Sequence, residues 1–281
     1  MRQKTDFPFD IVCVENDPQQ RSRSVIESLI PQARRQGIVL SYYCQPEQNI
    51  GLTRNCCIDR ASGDFLAFID DDEFAAEDWL EQLVAVQKET QGDVITGVVE
   101  YQFPDGFPEW LKQSRIYRPL LPIEAGLKTI RQNGADANAT LYRRELFSLR
   151  TPAFDPEFGR TGGGDFDFAL LLLGLGKTIF KTNRARVFEM QPPSRARVWF
   201  HWERQFREPS NTYRALRRHG GRLVAAQFVW RRFTESLGTL FSEVPLLFVH
   251  PRQSLVDMGG RIACLLGLGF AVLGFKKRGY R

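Results

Sequence analysis

From Phe9 to Val99 the chain alternates short apolar, β-branched runs with helical segments, and this alternation restricts the fold more than any other feature. Phe9–Glu15 (FDIVCVE) reads as a buried strand, closed by the turn signal Asn16-Asp17-Pro18. The pattern then predicts a helix from about Ser22 to Gln36, a strand at Ile38–Cys44, a helix near Leu52–Ala61 and a strand at Phe65–Asp70. A helix at Glu77–Thr90 and a strand at Val94–Val99 continue it. Strand and helix in turn predict an α/β domain whose mostly parallel sheet is covered on both faces. Tyr101–Gly134 holds four prolines and has weak periodicity, which predicts a long functional loop with short helices. Beyond it a strand is expected around Ala139–Arg143 and a helix from about Asp165 to Leu175. From Pro192 onward the chain reads as helical and basic.

A length of 281 residues with 43% hydrophobic content supports a sizeable core and excludes a disordered chain. The net charge of +5 is uneven: between Arg195 and Glu235 ten arginines face three glutamates, a local excess of +7. Such a stripe alone is compatible with nucleic acid, but no stacking module or RNA motif accompanies it, and no nucleic-acid partner is expected. Five cysteines without Cys-x-x-Cys or Cys/His spacing argue against a disulfide framework or a zinc site. Met1–Asp10 lacks an apolar signal-peptide core, so a reduced cytoplasmic chain is expected.

Three segments carry chemistry. The apolar run Phe65–Ile69 leads into Asp70-Asp71-Asp72-Glu73, and ligands of open α/β sheets gather at the carboxyl ends of strands. Hard oxygen ligands there suit Mg or Mn bridging a diphosphate; the alternative is a helix N-terminus decorated with acids. Gly162-Gly163-Gly164-Asp165-Phe166-Asp167 lets backbone approach a ligand and offers Asp165 as a positioned general base, or as a helix N-cap with Asp167 in the first turn. Asn49-Ile50-Gly51-Leu52-Thr53-Arg54-Asn55 brings Arg54 within reach of a phosphate or base, unless it is simply solvated. His201, His219 and His250 have no Ser or Cys partner pattern, which argues against a hydrolase triad.

Together IVCVENDP, NIGLTRNCCID, ASGDFLAFIDDDE, the Asn138 strand with Arg143-Arg144, FGRTGGGDFDF and the segment with Arg204, Phe206 and Arg207 resemble a family 2 glycosyltransferase of the GT-A fold. The likeness is to bacterial exopolysaccharide enzymes of the succinoglycan glucosyltransferase type. It implies inverting transfer of a sugar, expected to be glucose, from a UDP-sugar to a hydroxyl of a lipid-linked saccharide. By the same resemblance Glu15 would accept from the uracil ring, Arg54 would meet the nucleotide, and Asp70 and Asp71 would hold ribose or donor sugar. Asp72 would ligate the metal, Mn or Mg, and Asp165 would be the catalytic base. A non-catalytic relative that binds a saccharide or a partner enzyme is the alternative.

Three departures accompany the resemblance. Gly164 stands where the family has glutamate, and Phe188 where a histidine is common. The chain also starts at what would be the second strand. An upstream extension of about thirty residues is therefore expected, or instability and inactivity of the chain begun at Met1. Residues 1–191 are expected to form the catalytic domain and 192–281 a basic, helical, membrane-associating region. Ile262–Phe275, fourteen residues without a charge and flanked by Arg261 and Lys276-Lys277-Arg278, reads as too short to span a bilayer. With Phe228, Trp230, Phe233 and the arginines it predicts a helix pair on an anionic membrane surface, and a protein peripheral to the inner face of the cytoplasmic membrane.

Overall fold

A computed structural model of the chain describes residues 3–113, 117, 129–131 and 138–275. Their contacts divide into two units, one within Met1–Val99 and Ala125–Val187, the other within Glu100–Glu124 and Phe188–Lys277.

The first unit opens with β1 (Ile11–Glu15), α1 (Arg23–Arg35), β2 (Leu40–Cys44), α2 (Ile50–Arg60), β3 (Phe65–Phe68), β4 (Glu73–Ala75) and α3 (Trp79–Thr90). It continues through β5 (Val94–Gln102), β6 (Thr129–Arg131), β7 (Thr140–Arg143), α5 (Gly164–Gly174) and β8 (Ile179–Met190), β5 and β8 running on into the second unit. The short helix α4 (Glu109–Lys112) belongs to the second unit.

The α/β architecture is as expected, but the sheet is mixed rather than mostly parallel. β1 and β2 pair in parallel as a two-stranded sheet, while a six-stranded sheet runs β3-β7-β5-β8-β4 with β6 beside β8. The reason is β7, which enters from beyond the 101–134 segment and inserts antiparallel between β3 and β5. Among the described residues β1 and β3 form no ladder with each other, so the sheet is divided between them.

The larger sheet is buried on both faces because side chains alternate along a strand. Val94, Tyr142 and Leu66 sit across one another and pack with Phe168 and Leu172 of α5. Their neighbours Ile95 and Leu141 point the other way, onto Trp79, Leu83 and Val86 of α3. β4 and β6, three residues each, are too short to leave a periodic signal, and half of the 101–134 loop predicted above lies outside the described residues.

The second unit holds α6 (Val198–Leu246) and α7 (Pro251–Val272). α6 is two arms joined at Gly221, whose φ of 75° turns the chain. α7 packs on both arms: Trp202 Nε1 donates to Val256 O at 3.1 Å and Ser210 Oγ to Gly267 O at 2.7 Å, while Cys264 and Leu268 meet Ala225 and Phe228. The expected helix pair is thus three helical arms. The apolar helix is also longer than the charge-free run: at 22 residues it is long and apolar enough to cross a membrane by length and composition, with 39% of its apolar window buried against the protein. Lys276-Lys277-Arg278 lies outside the described residues.

Candidate functional site

α2 begins where Asn49 caps it, the Oδ1 atom accepting from Gly51 N at 3.1 Å and Leu52 N at 3.2 Å. One turn on, Arg54 lies over the ring of Phe154, 5.5 Å from guanidinium carbon to centroid, and reaches toward Asp70, with Nη2 to Oδ1 at 3.7 Å. Arg54 keeps only 14% of its side chain exposed and Asp70 44%, so this cation is held by packing rather than solvated.

Asp70, Asp71 and Asp72 form a turn between β3 and β4, and α3 starts only at Trp79. The acids therefore do not decorate a helix N-terminus. Glu73 braces the turn: its backbone N–H donates to Asp70 O at 3.2 Å, and its Oε2 accepts from Asp70 N at 3.1 Å. Its other oxygen, Oε1, accepts from Asn138 Nδ2 at 2.6 Å, which ties the acid turn to the entrance of β7. Partial burial pushes Asp70's carboxyl above its ordinary value; Arg54 opposes the shift, and Asp72, Asp165 and Asp71 reinforce it. Asp71 and Asp72 are exposed.

Asp165 arrives from the glycine turn. Gly163, at φ 86°, is the cap residue of α5, and Asp165 sits in the first helical turn with Oδ1 accepting from Phe166 N at 2.9 Å. It is half-buried and is not the N-cap. Asp167 is fully buried and pairs with Arg150 Nη1 at 2.7 Å, with Arg150 also donating to Ala153 O. That carboxylate is committed to holding the fold.

Arg54 thus faces the Asp70 turn, and Asp165, from a segment about a hundred residues further on, lies near enough for its charge to act on Asp70. Glu15, at the end of β1, accepts from the Tyr42 hydroxyl at 2.6 Å and from Ser22 N at 3.0 Å. The Tyr42 bond holds Glu15's carboxyl below its ordinary value, while burial and the same bond push Tyr42 up to about 12. A cavity of roughly 470 Å³ beside Lys4, Phe7, Phe9 and Ile38 is lined by none of these residues. Glu73 and Asn138 as a brace escaped the sequence reading. The glutamate closing Asp-Asp-Asp-Glu and the Asn138 strand were both noted in the sequence, but nothing in it joins the two across 65 positions.

The sequence profile of glycosyl transferase family 2 matches residues 1–149. The succinoglycan biosynthesis protein ExoM of Rhizobium meliloti (strain 1021) is 34% identical over 206 residues, covering 73% of this chain. The match covers 64% of that relative's length. Among solved structures, S. aureus TarS 1-349 in complex with UDP-GlcNAc is 16% identical with a TM-score of 0.53, over 97% of this chain and 81% of that one. GalNAc-T7 with UDP, GalNAc and Mn2+ is 14% identical with a TM-score of 0.51, over 74% of this chain and 41% of the other. At those identities the structural likeness speaks for the GT-A fold alone.

Proposed function

Since the chain belongs to glycosyl transferase family 2, we propose that it transfers glucose, with inversion, from a UDP-sugar to a hydroxyl of a lipid-linked saccharide in exopolysaccharide biosynthesis. The pathway rests on the likeness to a succinoglycan biosynthesis protein, and the donor on UDP and UDP-GlcNAc in the TarS structures. The observation that carries the reading is the convergence of Arg54, the Asp70–Asp72 turn and Asp165.

In this reading Glu15 accepts from the uracil ring and Arg54 meets the nucleotide, while Asp70 and Asp71 hold the ribose or donor sugar. Asp165 takes the proton of the acceptor hydroxyl as its oxygen bonds to the anomeric carbon. On the opposite face the bond from that carbon to the diphosphate oxygen breaks, and UDP leaves with the electron pair. Among the described residues no group of three or more His, Cys, Asp or Glu is arranged to hold a metal. Mg and similar cations are commonly held by one or two carboxylates plus substrate phosphates, so exposed Asp72 fits a cation that arrives with the nucleotide. A bound Mn or Mg would offset charge developing on the leaving UDP.

Residues 1–191 carry the transfer in this reading and residues 192–281 the contact with an anionic membrane surface at the cytoplasmic face, where a lipid-linked acceptor is presented. Trp230, Phe233 and Phe241 are exposed on α6, on the same helix as most of the arginine stripe. Binding to phosphatidylglycerol vesicles at low salt, lost on deleting 223–281, is the expected result for that part; no sedimentation with the vesicles contradicts it.

Release of UDP from UDP-glucose with Mn and a bacterial lipid extract tests the chemistry. Asp165→Asn should leave UDP binding nearly intact and slow release by roughly two to four powers of ten. A wild-type protein that binds UDP but releases none from any UDP-sugar would be the non-catalytic relative instead.

A further inference from the structure

Two asparagines of the Asn49–Asn55 segment hold the loop that leads into the Asp165 turn. Asn55 grips Phe154 from both sides of the peptide: its Nδ2 donates to Phe154 O at 2.7 Å, and its Oδ1 accepts from Phe154 N at 2.9 Å. A side-chain amide bonded this way reproduces the pairing of one strand residue with another, across 99 positions of sequence. Asn49 is 3% exposed, and besides capping α2 it donates from Nδ2 to Pro156 O at 3.0 Å. Ile50 N donates to Gly159 O at 3.1 Å. The approach is so close that a Cβ on Gly159 would lie 1.6 Å from Asn49 Oδ1.

From this clasp a short relay of turns runs to the catalytic carboxylate. Phe158 N bonds Asp155 O, Gly159 N bonds Pro156 O, and Gly162 N bonds Phe158 O at 2.8 Å, directly before the left-handed Gly162 and Gly163 that open α5. The same helix, α2, carries Arg54 against Asp70. A single rigid element therefore holds the donor-side acid turn on one hand and the loop before Asp165 on the other.

We propose that Asn49 and Asn55 are positioning residues that set the spacing between the donor carboxylates and Asp165, so that α2 acts as the ruler of the site. This rests on the reading of Asp165 as the base. Displacement of a reacting group by about 1 Å can cost on the order of a hundredfold in rate, whereas donor binding uses groups on the α2 side that stay in place.

Isosteric replacement isolates the clasp. Asn55→Asp keeps the acceptor for Phe154 N but sets a carboxylate oxygen against Phe154 O, and Asn49→Asp keeps the helix cap while removing the donor to Pro156 O. Gly159→Ala breaks the same joint from the loop side. With UDP-glucose, Mn and lipid extract, each variant should lower kcat about ten- to a hundredfold with KM for UDP-glucose within threefold. Calorimetric stoichiometry for UDP should remain that of wild type, which separates slowed turnover from a lost folded fraction. Asp165→Asn runs alongside. If Asp165→Asn is inactive while Asn55→Asp and Gly159→Ala keep kcat within twofold, or lose activity only through KM or stoichiometry, the positioning role is overturned and the base assignment stands. If Asp165→Asn turns over like wild type, it is the base assignment that fails.

Discussion

The turn at Asp70–Glu73 and the turn at Gly162–Asp167 both carry carboxylates, but they hold them by opposite means. In the first, Asp71 and Asp72 are exposed and Asp70 is partly so, with Arg54 reaching toward Asp70 at 3.7 Å. Their positions are set from behind by Glu73 and Asn138. In the second, Asp167 is withdrawn from water completely and locked by Arg150, and Asp165 two residues earlier is left half-buried on the helical turn so anchored. A run of acids in sequence thus separates into those that keep their charge available and one whose charge is spent on the fold.

Breaking the buried pair gives the largest expected effect on stability. Arg150→Ala leaves Asp167 buried without its cation, and loss of one partner of such a pair costs on the order of 3 to 5 kcal/mol. Chemical denaturation measures it; a loss below 1 kcal/mol would mean that Asp167 is not the anchor. Next comes Asp72→Ala, expected to remove the Mn-dependent part of UDP binding while melting like wild type. Calorimetry with and without Mn decides, and an undiminished metal-dependent component would put the cation elsewhere.

A smaller and opposite effect follows from Asp70. Partial burial raises its folded-state carboxyl above the ordinary aspartate value, so ionised Asp70 costs folding free energy at neutral pH and nothing below both pKa values. Asp70→Asn should therefore raise the melting temperature at pH 7, with the gain fading as pH falls toward the ordinary aspartate value, while weakening UDP-glucose binding. A gain that grew with acid would reverse the sign. The smallest effect is expected at Gly164, where an added Cβ meets only Phe158 Cβ at an ordinary 3.5 Å. Gly164→Glu places an acid in the first turn of α5 and removes a helical glycine, a stabilisation of up to about 1 kcal/mol.

Much of this was legible in the sequence where residues act through their immediate neighbours. The apolar strand before Asp70, the glycines before Asp165 and the alternation up to Val99 all leave a local pattern, and the corresponding elements lie within a few residues of their expected bounds. What stayed hidden works at long range. The antiparallel entry of β7 is settled by its pairing with β3 and β5, and the bonds from Asn49 and Asn55 to residues 154–156 join amides about a hundred positions apart. α7 was underestimated because Arg252, Asp257 and Arg261 interrupt its apolar run, although the helix continues through them.

That the two turns make one site is tested most directly by the titration of Asp70 itself, followed by carboxyl-carbon NMR in the wild-type protein and in Asp165→Asn. Asp165 is among the charges that raise Asp70, so its neutralisation should move the Asp70 midpoint downward, with Arg54 now less opposed. An Asp70 midpoint unchanged by Asp165→Asn would mean that the acid turn and the glycine turn do not face a common ligand.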